Sequence, residues 1–117
     1  MYKKKVYVAE DDPSILEIIS LILMDMGFDV ETSPNGMSLS KKTIFPDLIL
    51  LDIRMSGSNG GEICRTLKSD PKTSYIPVLL ISANRDLTEI GLICKADAVL
   101  AKPFDIEDLI SLVSKYT

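Results

Sequence analysis

The side chains best suited to chemistry stand directly after four hydrophobic runs of the sequence. Glu10 and Asp11 follow residues 6–9, Asp52 follows 48–51, Ser82 follows 78–81 and Lys102 follows 98–101. Carboxylates are the hard oxygen ligands that suit Mg²⁺, whereas a hydroxyl and an ammonium can hold the oxygens of a phosphoryl group. If the four runs are neighbouring strands, this set predicts metal-assisted phosphoryl transfer.

Asp52 is the candidate nucleophile because it stands alone at the end of the most continuous hydrophobic run, Leu-Ile-Leu-Leu. Glu10 and Asp11 are then the candidate metal ligands. Two carboxylates about 5 Å apart repel by roughly 3 kcal/mol at an effective dielectric constant near 20. A bound cation would relieve that repulsion, so the acid cluster itself favours a magnesium site.

A run that is apolar on both faces is typical of a strand covered by helices on both sides of a parallel sheet. Helices are expected from Pro13 to about Gly27, with Asp12 as N-cap, and from about Asn35 to Thr43. Three more are expected over about 62–69, about 87–95 and from Asp105 onward. Five alternations of strand and helix predict a doubly wound α/β sandwich.

Size and composition limit the functions that the chain can have. Its 117 residues predict one domain over 1–117, and its formal net charge of −4 argues against direct binding of nucleic acid. The absence of His excludes a Ser-His or Cys-His catalytic pair. No apolar run reaches the length of a membrane span, and the start of the chain lacks a signal-peptide pattern, so a cytoplasmic protein without a membrane partner is expected.

Four motifs, in order and at similar spacing, resemble the receiver domain of two-component response regulators. They are Glu10-Asp11-Asp12-Pro13, Asp52 followed by Met55 and Gly60, Ser82-Ala83, and Lys102-Pro103-Phe104. Each motif alone is common, but together they span essentially the whole chain. The resemblance implies a flavodoxin-like, three-layer fold with a five-stranded parallel sheet in the order 2-1-3-4-5 and five helices.

The same resemblance implies roles for individual residues. Asp52 would accept a phosphoryl group from a phosphohistidine on a sensor histidine kinase or a histidine phosphotransfer protein. Glu10, Asp11, Asp52 and the backbone carbonyl of Arg54 would surround Mg²⁺. Ser82 and Lys102 would contact the phosphoryl oxygens, and the peptide bond between Lys102 and Pro103 would be cis. The chain would then be a switch for an output protein or domain, with only its own phosphorylation and dephosphorylation as chemistry.

Three positions depart from the usual pattern of the family. Ser56 replaces a proline, Lys95 a glycine and Val99 an aromatic residue of the surface through which many receivers signal. These departures leave open a receiver-like scaffold that binds its partner without phosphorylation. A Mg²⁺-dependent phosphatase with an Asp nucleophile is a further alternative, although the Asp-x-Asp pattern and the cap domain usual in such enzymes are missing.

Overall fold

The computed structural model describes residues 3–117, and its centre is a sheet of five parallel strands. The strands are β1 (Lys5–Ala9), β2 (Asp29–Ser33), β3 (Leu48–Asp52), β4 (Val78–Ser82) and β5 (Ala98–Ala101). Their order in the sheet is β2-β1-β3-β4-β5. This confirms the predicted order 2-1-3-4-5 and the doubly wound α/β class, and it places the central run of the sequence in the middle of the sheet.

Within residues 3–117, four α-helices cover the two faces of the sheet. They are α1 (Pro13–Asp25), α2 (Gly60–Ser69), α3 (Leu87–Cys94) and α4 (Ile106–Lys115). Ile19 of α1 and Leu109 of α4 belong to one buried cluster, whereas Cys64 of α2 and Leu87 of α3 belong to the other. The molecule is therefore the expected sandwich of helices, sheet and helices.

Alternate side chains of β3 pack into the two buried clusters. Leu48 and Leu50 pack in the α1/α4 cluster, and Ile49 and Leu51 pack in the α2/α3 cluster. All five residues of β3, including Asp52, are buried. A strand with both faces covered has no polar side, which explains why its sequence is uninterrupted by polar residues until Asp52.

The prediction of five helices is wrong at one position. The crossover from β2 to β3 contains only a 3₁₀ helix, Met37–Lys41, which starts after Gly36 in a left-handed conformation with φ 72°. Ser40 donates a hydrogen bond from its hydroxyl to the carbonyl of Met37, and serine side chains that bond locally compete with helix formation. Pro46 then disfavours helical geometry at Phe45, so a full helix has little room.

Two further details of the fold concern the segment after Asp52 and the start of α4. The segment after Asp52 is a short antiparallel hairpin, Arg54–Met55 paired with Ser58–Asn59, turning at Gly57 with φ 78°. Asp105 occupies the N-cap position of α4, but its side chain makes no capping hydrogen bond. Asp12, in contrast, accepts bonds from the backbone of Ser14 and Ile15, as an N-cap of α1 should.

None of the helices within residues 3–117 is both long enough and apolar enough to cross a membrane. The two cysteines, one in α2 and one in α3, are buried and do not form a disulfide bond. Burial and the neighbouring Cys94 raise the pKa of the Cys64 thiol to about 12, so it stays protonated at neutral pH. Both residues are therefore small side chains of the buried core.

Candidate functional site

The carboxyl ends of four parallel strands bring the sequence-predicted residues to one edge of the sheet. Asp52 and Ser82 are the last residues of β3 and β4, and Glu10 and Lys102 directly follow β1 and β5. Backbone hydrogen bonds fix the register at this edge, since Lys102 donates its N–H to the carbonyl of Ser82 at 2.9 Å. The parallel pairing therefore determines which side chains meet, as the sequence analysis required.

Three carboxylates converge at this edge. One oxygen of each of Glu10, Asp11 and Asp52 lies within 4.8 Å of the others. Glu10 and Asp52 are buried, at 2% and 6% exposure, while Asp11 is exposed. Asp12 is excluded from the cluster because its carboxylate caps α1. Two buried anions and one open anion form a donor set that fits a hard divalent cation with water in its remaining positions.

Lys102 provides the opposite charge for the cluster. Its ammonium donates hydrogen bonds to Glu10 Oε1 and, at 3.2 Å, to Asp52 Oδ2. The peptide bond between Lys102 and Pro103 is cis, as the family resemblance implies. The side chain thus reaches from β5 across the end of β4 to acids on β3 and β1.

Burial and these contacts shift the pKa values of Glu10 and Lys102. Burial, followed by the hydrogen bond with Asp52, raises the pKa of Glu10, and Lys102 lowers it by a smaller amount. Burial lowers the pKa of Lys102, but its hydrogen bond with Glu10 and the attraction of Asp52 outweigh that effect, so the pKa is raised overall. Lys102 therefore remains an ammonium at neutral pH.

Asp52 opens into a cavity of about 500 Å³ at the surface of the sheet edge. Its lining comprises the nucleophile candidate, the hairpin and the loop after β4: Asp52, Arg54, Ser82, Ala83, Asn84, Arg85, Asp86 and Lys102. The Ser82 hydroxyl is buried and accepts a hydrogen bond from the backbone N–H of Asn84 at 3.0 Å, which leaves its proton available to a ligand oxygen.

The structure adds residues that sequence reasoning did not assign to the site. Arg85 and Asp86 line the cavity, and no local pattern marks them because they sit in a turn of ordinary composition. Gly60 belongs to the motif that follows Asp52, and the structure shows why glycine stands there: a Cβ at this position would lie 2.0 Å from the carbonyl oxygen of Asp52. The Asn59-Gly60-Gly61 sequence carried that signal, since glycine is required where two backbone segments approach closely.

Buried acids, an ammonium and a hydroxyl thus surround one open cavity at the carboxyl edge of a doubly wound, parallel α/β sheet. The sequence matches the family of the response regulator receiver domain over residues 6–114. The chain belongs to this family.

Individual relatives agree with the family match. The chain is 38% identical over 112 residues to a transcriptional regulatory protein CpxR homolog of Haemophilus influenzae, which covers 93% of this chain and 48% of that protein. It is 32% identical over 115 residues to the DNA-binding response regulator MtrA of Mycolicibacterium smegmatis, covering 95% and 49%. The chain therefore spans about half the length of these regulators.

Solved structures place the fold among receivers. The chemotaxis response regulator CheY4 of Vibrio cholerae superimposes with a TM-score of 0.89 at 26% identity, covering 99% of this chain and 100% of that one. The chain is thus a receiver domain of two-component signal transduction, a family that generally uses Mg²⁺ at an acidic pocket and interacts with histidine kinases.

Proposed function

We propose that Asp52 accepts a phosphoryl group from a phosphohistidine of a sensor histidine kinase or a histidine phosphotransfer protein. The observation that carries this proposal is the convergence of Asp52, the acid cluster and Lys102 at the mouth of one cavity. A carboxylate oxygen of Asp52 forms the new bond to phosphorus as the bond to the donor imidazole nitrogen breaks. The imidazole then takes a proton from solvent, so the step needs no base on this chain.

The residues around Asp52 have distinct roles in this proposal. Glu10, Asp11, Asp52 and the backbone carbonyl of Arg54 would hold Mg²⁺, which would supply positive charge to the transferring group. The Lys102 ammonium, already 3.2 Å from Asp52 Oδ2, contacts a phosphoryl oxygen. The Ser82 hydroxyl donates to another. Its burial, at 4% exposure, keeps water away from that bond.

The chain's chemistry is, in this proposal, limited to its own phosphorylation and dephosphorylation, within a single receiver domain over 1–117. The signal leaves as a change in a protein-binding surface when Ser82 and its loop move toward the phosphoryl group. We place the domain in the cytoplasm, where its kinase partner presents phosphohistidine. Direct contact with nucleic acid is not expected of an acidic chain, even though one relative is described as DNA-binding.

Incubation with acetyl phosphate and Mg²⁺, followed by intact mass spectrometry, tests the proposal. The native chain should gain one phosphoryl group, and Asp52→Asn, with its fold checked by circular dichroism, should gain none. Omission of Mg²⁺ should abolish the adduct. A native chain that stays unmodified would instead support a scaffold that works without phosphorylation, and release of phosphate over many turnovers would support a phosphatase.

A further inference from the structure

A second cavity lies away from the acid cluster, as an open groove of about 550 Å³ between the 3₁₀ helix and α2. Its floor is apolar: Leu39 and Leu67 are buried there, and Phe45 and Ile63 are half-buried beside them. Met37 stands at the rim with 60% of its surface exposed. A groove of this size with an apolar floor is in the range of ligand-binding clefts.

The short crossover explains why the groove exists. The other crossovers of the sheet carry helices of 13, 10 and 8 residues, whereas the one between β2 and β3 carries a 3₁₀ helix of five. A full helix there would lie along α2. Because it is missing, the outer face of α2 is left uncovered, and Glu62, Ile63, Thr66 and Asp70 line the groove at the spacing of one helical face.

The charged side chains that line the groove indicate the kind of partner that it would bind. Lys42 at one wall is paired with Glu31, so its charge is compensated. Glu62 and Asp70, on the α2 wall, form no salt bridge within residues 3–117. The groove therefore combines an apolar floor with two carboxylates that have no cationic partner in the described part of the chain, near the two ends of a helix that is about 15 Å long, although Asp70 accepts a hydrogen bond from the backbone N–H of Lys72.

We propose that this groove is a docking site for an amphipathic helix of a partner polypeptide. Apolar side chains of that helix at i, i+3 or i+4 and i+7 would fill the floor, and basic residues flanking them would pair with Glu62 and Asp70. The exposed thioether of Met37 can adapt to the shape of the inserted side chains. The helix would pack against α2 in the place that the crossover leaves open.

The docked helix would also touch the hairpin that follows Asp52. Gly57 and Ser58 line the end of the groove, and the Ser58 hydroxyl donates a hydrogen bond to the carbonyl of Asn35 at 2.6 Å. The groove thus joins the 3₁₀ segment, α2 and the hairpin in one surface. The proposal does not depend on phosphorylation of Asp52, and the two fail or succeed separately.

The test uses the 117-residue chain and a fluorescent helical peptide of roughly 15 residues, long enough to hold helical structure, with Leu at the anchor spacing and Lys at the flanks. Fluorescence anisotropy should show saturable binding. Thr66→Trp, which fills the groove from an exposed position, should weaken binding about tenfold or more. Thr88→Trp, at an exposed position on α3, should leave it unchanged.

The charge contribution is tested by a second matched pair. Glu62 and Glu89 are each exposed in the first turn of their helices, so Glu62→Lys and Glu89→Lys have the same effect on the helix dipole. Only Glu62→Lys should weaken binding, by about fivefold or more. Three results would each overturn the proposal. The first is equal binding of a control peptide with Ser in place of Leu, and the second is no binding of the Leu peptide up to about 1 mM. The third is occupancy of the groove by a small amphipathic amine but not by the peptide.

Discussion

The ammonium of Lys102 lies 3.2 Å from Asp52 Oδ2, although 50 positions separate the two residues in the sequence. Their strands are not neighbours, because β4 lies between β3 and β5. Lys102 crosses the end of β4 and also binds Glu10, which follows β1. One cation therefore balances two buried anions at the site where the proposed reaction needs positive charge.

Removing the Asp52 charge should stabilise the metal-free chain. Carboxylate oxygens of Asp52 and Glu10 lie within 4.8 Å of each other, so the two charges repel, and in the Asp52 variant Lys102 would keep its ion pair with Glu10. We expect Asp52→Asn to raise Tm by about 5 °C, equivalent to about 1 kcal/mol, in a chelating buffer at pH 7. The control is Glu17→Gln, an exposed acid within α1 and outside the cluster, which should change Tm little. A lower Tm for Asp52→Asn would show that the acids do not repel.

The gain in Tm from Asp52→Asn should become smaller as the pH is lowered. The pKa of Glu10 is raised above its ordinary value of 4.5, so the folded chain holds that proton more tightly than the unfolded chain. The contribution of Glu10 to stability is therefore fully present below about pH 4.5 and is lost as pH rises through the raised value. As Glu10 becomes protonated on acidification, its repulsion with Asp52 ends, and the Tm advantage of Asp52→Asn should shrink. An advantage that grows toward low pH would contradict this assignment.

Removing Lys102 should have the opposite effect. Lys102→Met keeps an unbranched side chain of similar length but leaves Glu10 and Asp52 without their cation, which we expect to cost about 2 kcal/mol of unfolding free energy in metal-free buffer. Urea denaturation measures the loss. Lys72→Met, in an exposed loop, serves as the matched control. Equal stability of Lys102→Met and the native chain would mean that the observed contacts contribute nothing.

Lys95 ends α3 in a left-handed conformation, with φ 61° and ψ 34°, where the receiver family commonly has glycine. A side chain in this region is strained, so Lys95→Gly should raise the unfolding free energy by about 1 kcal/mol. Lys95→Ala removes the same charge but keeps a Cβ, and it should give no such gain. Thermal denaturation distinguishes the two, and a gain from Lys95→Ala as large as that from Lys95→Gly would assign the effect to charge.

Two glycines are closely packed for different reasons. A Cβ at Gly60 would meet the backbone oxygen of Asp52 at 2.0 Å, whereas one at Gly91 would meet Cγ1 of Val99 at 2.6 Å. Gly60→Ala should therefore cost about 2 kcal/mol or more of unfolding free energy and slow phosphorylation, because the backbone at Asp52 must shift.

The loss of stability from Gly91→Ala should be partly rescued by Val99→Ala in a double-mutant cycle. Additive effects of the Gly91 and Val99 substitutions would contradict the contact.

Much of the fold could be predicted because the hydrophobic runs are unambiguous. Residues 48–51 are apolar on both faces, and the alternation of such runs with a helix as clearly patterned as α1 defines the parallel sheet. The edge where Glu10, Asp52 and Lys102 meet follows from that topology alone. The distance between their atoms does not, since it depends on side-chain rotamers.

The features of the structure that were not predicted from the sequence have local causes. The segment at 37–41 has no strong helical pattern, and the local hydrogen bond of Ser40 together with Pro46 limits it to a 3₁₀ helix of five residues. The hairpin at 54–59 depends on a turn at Gly57, which a Gly- and Ser-rich loop does not specify. The groove beside α2 follows from that shortened crossover, so no motif could reveal it. Val99 packs on Gly91, a pairing that only the close approach of α3 and β5 makes visible.

The most direct measurement locates the phosphoryl group on the chain. After reaction with acetyl phosphate and Mg²⁺, an acyl phosphate can be reduced with borohydride, and peptide mapping by tandem mass spectrometry then identifies the modified residue. We expect modification at Asp52 in the native chain, with Glu10, Asp11 and Asp12 unmodified. Modification at any of those three acids while Asp52 stays intact would contradict it.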